Sequence, residues 1–133
     1  MKKECLNPDS LVDTRDFGFS QIVVARPGKF VFLSGQVAWD EDGNIVGKND
    51  LESQTRQSIK NLQTAIEAAG GTLENVTMLR IYIVNYQEKE SPIISNILKE
   101  YFGTENPPAS TWLNVQGLAN KEFMIEIEAQ AVI

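Results

Sequence analysis

The residues best suited to chemistry fall in two short stretches toward the C-terminal end. One is NPPASTWLNV, residues 106–115, in which two prolines precede Ser110, Thr111 and Trp112. Proline fixes φ and stiffens a loop, so the hydroxyls that follow are presented at the mouth of the next strand. The other is MIEIEAQ, residues 124–130. Side chains alternate between the faces of a strand, so Glu126 and Glu128 share one face. Either glutamate could activate a water, and both could equally be solvated carboxylates. Arg80, in VTMLRIYIV, supplies a cation. It could pair with Glu126 or Glu128, or hold the charge of a ligand.

Composition narrows the chemistry further. The chain has no histidine, which removes Ser-His-Asp and Cys-His catalysis, histidine-based zinc sites and the usual acid–base pair of ribonucleases. Carboxylates, hydroxyls, arginine, lysine and backbone groups remain. The single cysteine, Cys5, cannot form an internal disulfide and is expected to be a free thiol. Twelve basic residues are scattered among eighteen acidic ones, for a net charge of −6. They form no basic stripe, and no nucleic-acid partner is expected. In DEDGN, residues 40–44, the glycine comes too early for a calcium loop and no glutamate closes it, so an ordinary Asp-Gly turn and no metal site are expected. No apolar run approaches membrane-spanning length and the N-terminus has no apolar signal segment. A cytoplasmic protein without a membrane partner follows as the expectation.

At 133 residues the chain is read as a single domain, 1–133. Residues 19–25 and 30–37 are β-branched or aromatic runs around the turn RPGK, which predicts a hairpin. From Leu51 to Ala69, apolar Ile59, Leu62, Ile66 and Ala69 recur at three- and four-residue intervals, predicting a helix capped by Asp50 and ended by Gly70-Gly71. Residues 76–84 predict a strand with Leu79, Ile81 and Ile83 on one face and Met78, Arg80, Tyr82 and Val84 on the other. Residues 89–102 predict a second helix with Ile93, Ile94, Ile97, Leu98, Tyr101 and Phe102 inward, stopped by Gly103. Strands over 110–116 and 122–132 complete the order ββαβαββ. That order predicts an α+β fold, a mixed sheet with two helices on one face. On the last strand Phe123, Ile125, Ile127, Ala129 and Ala131 face one way, and Met124, Glu126, Glu128, Gln130 and Val132 the other. The second face is too polar for a sealed core and too apolar for water, which points to self-association.

Four segments, VFLSGQVAWDEDGNIVG, QTRQSIKNLQTAIEAAGGTLENV, YFGTENPPAS and MIEIEAQAVI, occur in an order and at separations that resemble the RidA/YjgF/UK114 family of reactive-intermediate deaminases. The similarity covers roughly residues 17–132. It implies a chorismate-mutase-like fold, a homotrimer, and ligand clefts between subunits. In deaminating members an arginine after Pro-Ala clamps the carboxylate of an imino acid. A tyrosine near the N-terminus and a glutamate in the last strand complete the site, the glutamate helping a water attack the imine carbon. An enamine such as 2-aminoacrylate becomes a keto acid and ammonia, with no metal or cofactor.

The resemblance carries the glutamate onto Glu126 and the Ser-Gly-Gln turn onto Ser34, Gly35 and Gln36. It carries the arginine onto Ser110, the next hydroxyl onto Thr111, a small residue, often cysteine, onto Trp112, and the tyrosine onto Phe19. Three groups are therefore altered, toward less charge, fewer donors or greater bulk. Hydrogen bonds to charged groups contribute roughly 1.5–3 kcal/mol, so losing the guanidinium clamp costs about ten- to a hundred-fold in binding. The implied function is a trimer that binds a small metabolite in intersubunit clefts, with the standard 2-imino acid deamination weakened. A divergent enamine or imine deaminase that releases ammonia is the alternative.

Overall fold

The structure, a computed structural model, describes residues 3–133. The chain runs through strands β1 (Lys3–Leu6), β2 (Ile22–Ala25) and β3 (Phe30–Val37), helix α1 (Leu51–Ala68), strand β4 (Val76–Val84), helix α2 (Ser91–Phe102), and strands β5 (Ala109–Val115) and β6 (Ile125–Val132). The main sheet has the order β3-β6-β4-β5. β4 and β5 are parallel, and β6 is antiparallel to both β3 and β4. This is the expected α+β architecture with a mixed sheet, and its parallel pair is joined through α2, as a parallel connection requires.

The sheet and helices are sealed by alternation meeting helical periodicity. Leu79, Ile81 and Ile83 on β4 and Ile125, Ile127, Ala129 and Ala131 on β6 are buried in one cluster. Ile59, Leu62 and Ile66 of α1 and Ile94, Ile97 and Leu98 of α2 meet them there. Each large aliphatic side chain buried in this way contributes about 1.5–3 kcal/mol. Asp50 caps α1 by accepting from the Ser53 backbone N–H at 3.2 Å. Gly70, at φ 94°, and Gly103, at φ 71°, follow the two helices, where a left-handed residue lets the chain turn away.

Four expectations are corrected. The RPGK turn does not close a hairpin. β2 pairs with β1, a strand that the sequence reading missed, while β3 pairs with β6. The turn is pinned to the chain end instead: the Lys29 and Ile133 backbones exchange hydrogen bonds at 2.7 and 2.9 Å. A Cβ at Gly28 would lie 2.7 Å from the Ile133 carbonyl oxygen, so the glycine allows this approach. Next, Ile93 is exposed, because it lies at the flank of the helix face centred on Ile94, Ile97 and Leu98. Val132 is buried within the subunit at 4% exposure, beside the Gly28 turn, rather than on the free sheet face. Finally, β6 begins at Ile125, three residues later than expected, although Phe123 is buried as foreseen.

One buried polar side chain ties the start of β6 to the rest. Gln54 of α1 is fully buried. Its amide nitrogen donates to the Gly47 and Glu122 carbonyls at 3.1 and 2.9 Å, and its oxygen accepts from the Met124 N–H at 2.8 Å. Leaving such groups buried and unpaired costs about 1–3 kcal/mol each. Gln54→Leu should therefore lower stability by about 2–4 kcal/mol in urea unfolding. A loss below about 0.5 kcal/mol would show that water replaces these bonds.

Candidate functional site

The strand register decides which candidate residues can meet. Ser110 and Trp112 pair with Leu79 and Ile81 on β4, so they face the helices. Thr111 pairs with Arg80, and Glu126 and Glu128 pair with Tyr82 and Arg80, so all five lie on the opposite, helix-free face. Ser34, Gly35 and Gln36 belong to β3, at the far edge of the sheet from β5. The candidate residues thus form two groups in one subunit.

The first group surrounds a cavity of about 330 Å³ lined by Phe17, Phe19, Tyr86, Ser91, Ser110 and Trp112. No charged side chain is among these six. Phe19, Ser110 and Trp112 come together as the sequence reading required. Phe17, Tyr86 and Ser91 were missed. Phe17 sits two residues before Phe19 in DFGF, and Tyr86 closely follows β4, so adjacency to a strand end was the available signal. Tyr86 meets the Trp112 ring edge-on, with centroids 6.3 Å apart, and its N–H donates to Asn114 Oδ1 at 3.1 Å. Ser91 is the first residue of α2.

The phenylalanine loop is fastened from several sides. Thr14 Oγ1 donates to the Phe19 carbonyl at 2.9 Å. Gly18, at φ 91°, turns between the two rings and is packed so closely that a Cβ there would lie 2.8 Å from Leu98 Cβ. Ser20 Oγ donates to the Pro107 carbonyl at 2.6 Å, and its N–H to the Pro108 carbonyl at 2.9 Å. The prolines of NPPAST therefore anchor the loop as well as stiffening the entry to β5.

The second group is smaller. The Glu126 carboxyl lies directly over Gly35, where a Cβ would come within 2.7 Å of Glu126 Cδ. A methyl group there would push the carboxyl aside. On the same face the Tyr82 hydroxyl donates to Glu128 Oε1. That bond, then burial, pushes the Tyr82 phenol above its ordinary range. The ion pair expected of Arg80 with Glu126 or Glu128 is not formed among the described residues. Glu128 is taken by the phenol instead. Nor does Arg80 reach the cavity, since it lies across the sheet from Ser110. Gln36 is directed elsewhere too. It lines a cleft of about 640 Å³ with Trp39, Asp40 and Gln57, against α1. A larger cleft of about 820 Å³, lined by Lys3, Glu74, Tyr101 and Glu105 among others, contains none of the candidate residues.

Comparison with known proteins places this geometry. The family model described as Endoribonuclease L-PSP matches residues 15–133. The chain belongs to the RidA/YjgF/UK114 family. A RutC family protein of Pyrococcus horikoshii is 34% identical over 113 residues, 85% of each chain. Among solved structures, a Rid family protein of unknown function from Yersinia pestis superposes with a TM-score of 0.96 at 35% identity, over the whole of both chains. E. coli TdcF, solved with bound serine, gives a TM-score of 0.70 at 26% identity, covering 86% of this chain and 87% of that one. No helix among the described residues is long and apolar enough to cross a membrane.

One ion pair orders the approach to the phenylalanine loop of this Rid protein. Arg15 Nε donates to Asp13 Oδ1 at 2.9 Å and its other nitrogen to Oδ2 at 2.6 Å. These bonds, with the Arg15 backbone N–H, hold the Asp13 carboxyl down to about 2 from its ordinary 3.8. Since the folded value is the lower one, this support is present above pH 3.8 and is lost as pH falls through about 2. An NMR titration should find the Asp13 midpoint near 2, and Arg15→Gln should return it toward 3.8. An ordinary midpoint in the native chain would mean that the pair does not persist in solution.

Proposed function

We propose that this chain assembles as a homotrimer and binds a small metabolite in clefts between subunits, with standard 2-imino acid deamination weak or absent. The observation that carries the reading is the uncharged cavity around Ser110, at the position where deaminating relatives have their arginine. The intersubunit part is supported by the separation of the two groups. The Ser110 cavity and the Gly35–Glu126 pair lie on opposite faces and toward opposite edges of one sheet. A contact between unlike edges is a heterologous one, and such contacts form a ring where the rotation between subunits closes. Exposed Phe30 and Phe32, at 69% and 75%, supply the apolar surface on β3 that such an interface would cover. The serine bound in TdcF is an instance of a small metabolite held by this fold.

A second reading is favoured by one observation, the retained Glu126 over Gly35. In it the chain is a divergent enamine or imine deaminase. Glu126 takes a proton from water as the oxygen attacks the imine carbon and returns it to the nitrogen; the C–N bond of the resulting carbinolamine then breaks as its hydroxyl proton is lost, leaving a carbonyl and ammonia. An endoribonuclease activity, named in the family's description, is not part of the proposal. The net charge of −6 and the absence of histidine give RNA neither a basic track nor the usual acid–base pair.

Sedimentation equilibrium should show a trimer at micromolar concentration, and Phe32→Asp should weaken it. A monomer would remove the intersubunit cleft. With 2-aminoacrylate generated by a serine dehydratase, the native chain should turn over at least about ten- to a hundred-fold more slowly than an arginine-bearing relative. Ser110→Arg alone should restore little, because the cavity shape has also changed. The triple change Phe19→Tyr, Ser110→Arg, Trp112→Cys should restore more. Rapid turnover by the native chain would favour the deaminase reading.

A further inference from the structure

Four of the six residues around the Ser110 cavity are aromatic: Phe17, Phe19, Tyr86 and Trp112. Phe17 is 47% exposed, yet its loop is held by the Thr14 and Ser20 hydrogen bonds and by the tight turn at Gly18. Tyr86 and Trp112 stand at 83° to one another with centroids 6.3 Å apart, so they make two adjoining walls rather than a stack. A scattered exposed phenylalanine needs no explanation. One fastened beside three other rings, around a space they do not fill, has the form of a box.

The polar groups of this box are few. Ser110 Oγ and Trp112 Nε1 are screened from water, so neither is offered to an occupant. The hydroxyls of Tyr86 and Ser91 remain, and no charged side chain is among the six. An anion would lose its hydration there and gain no counter-charge. A cation meets a different surface, because the face of an aromatic ring is the negative part of its quadrupole. An ammonium group within about 6 Å of a ring centroid gains about two- to five-fold in affinity per ring at an exposed site. The net charge of −6 draws cations toward the molecule. A volume of about 330 Å³ lies at the small end of ligand pockets and suits a compact head group.

We propose that this cavity is an aromatic cage for a compact organic cation, a quaternary or protonated amine, held against the rings of Phe17, Phe19, Tyr86 and Trp112. The inference rests on the metabolite-binding reading above and adds the ligand's chemical class. It reverses the charge preference of a site built around a guanidinium. With Ser110 at that position, the Glu126 of an adjacent subunit has no arginine in the cavity wall to neutralise it, and a cationic ligand supplies the missing charge.

The test is calorimetric titration of the intact protein with three probes of similar shape. Choline carries a trimethylammonium group, 3,3-dimethyl-1-butanol an uncharged tert-butyl group in its place, and 3,3-dimethylbutanoate a tert-butyl group joined to a carboxylate. Choline should bind at least about five-fold more tightly than the alcohol, and more tightly still than the anion. Two variants separate the rings from a general attraction of cations to an acidic protein. Phe17→Leu and Tyr86→Leu each keep apolar bulk and remove one ring. Each should weaken choline by about two- to five-fold and leave the alcohol unchanged. Choline binding no tighter than the alcohol overturns the proposal while leaving the cleft standing, as does choline binding that neither variant weakens. If choline fails to bind but 2-oxobutanoate does, the ligand class is wrong and the cleft reading survives. Failure of all four probes against the assembled trimer overturns both.

Discussion

A strand at the edge of a sheet has side chains on two faces but a hydrogen-bonded neighbour on only one side, and β5 is such a strand. Its register with β4 turns Ser110 and Trp112 toward the helices and Thr111 away from them. Near the middle of the sheet, helix-facing positions are filled by the core. At this edge the Phe17–Phe19 loop, Tyr86 and the start of α2 form an incomplete wall, and a cavity remains. The same alternation on β6 turns Glu126 to the other face, over Gly35. Where the candidate groups lie is thus a consequence of strand pairing rather than of their nearness in sequence.

Two details show how tightly this arrangement is specified. Ser20 binds its loop to both prolines ahead of β5, so the aromatic wall and the strand that carries Ser110 are fixed to one another. Gly35 leaves space for the Glu126 carboxyl, and even one added methyl group would displace it. Neither constraint requires the arginine of the deaminating relatives. A Rid scaffold can therefore carry serine at this position and keep both the Ser110 cavity and the Gly35–Glu126 contact. What changes is the charge of the cavity wall, whose six lining residues offer an anion no counter-charge for its lost hydration.

Much of the fold was legible because its periodicities are strong. β4 matched residue for residue, and the buried faces alternated from Leu79 to Ile83 on β4 and from Ile125 to Ala131 on β6. The cap at Asp50 and the glycine stops were local signals and held for that reason. The missed parts depend on distant partners. β1 is a four-residue strand paired with β2 from a distance in sequence, and the RPGK turn resembles a hairpin turn until Ile133 competes for its backbone. Arg80 and the two glutamates looked like an ion pair by register, but the Tyr82 phenol reaches Glu128. At the site, the motif alignment named Phe19, Ser110, Trp112 and Glu126. It could not reveal that they divide between two faces, nor that Tyr86 closes the cavity from a loop after β4.

The central claim is the proposal that the Ser110 cavity of one subunit is completed by a neighbour into an intersubunit cleft. Its most direct test is a crystal structure of the assembled protein. The account predicts Gly35 and Glu126 of an adjacent subunit across an open cleft from Phe19, Ser110 and Trp112. A cavity filled by the neighbour's own side chain would contradict it.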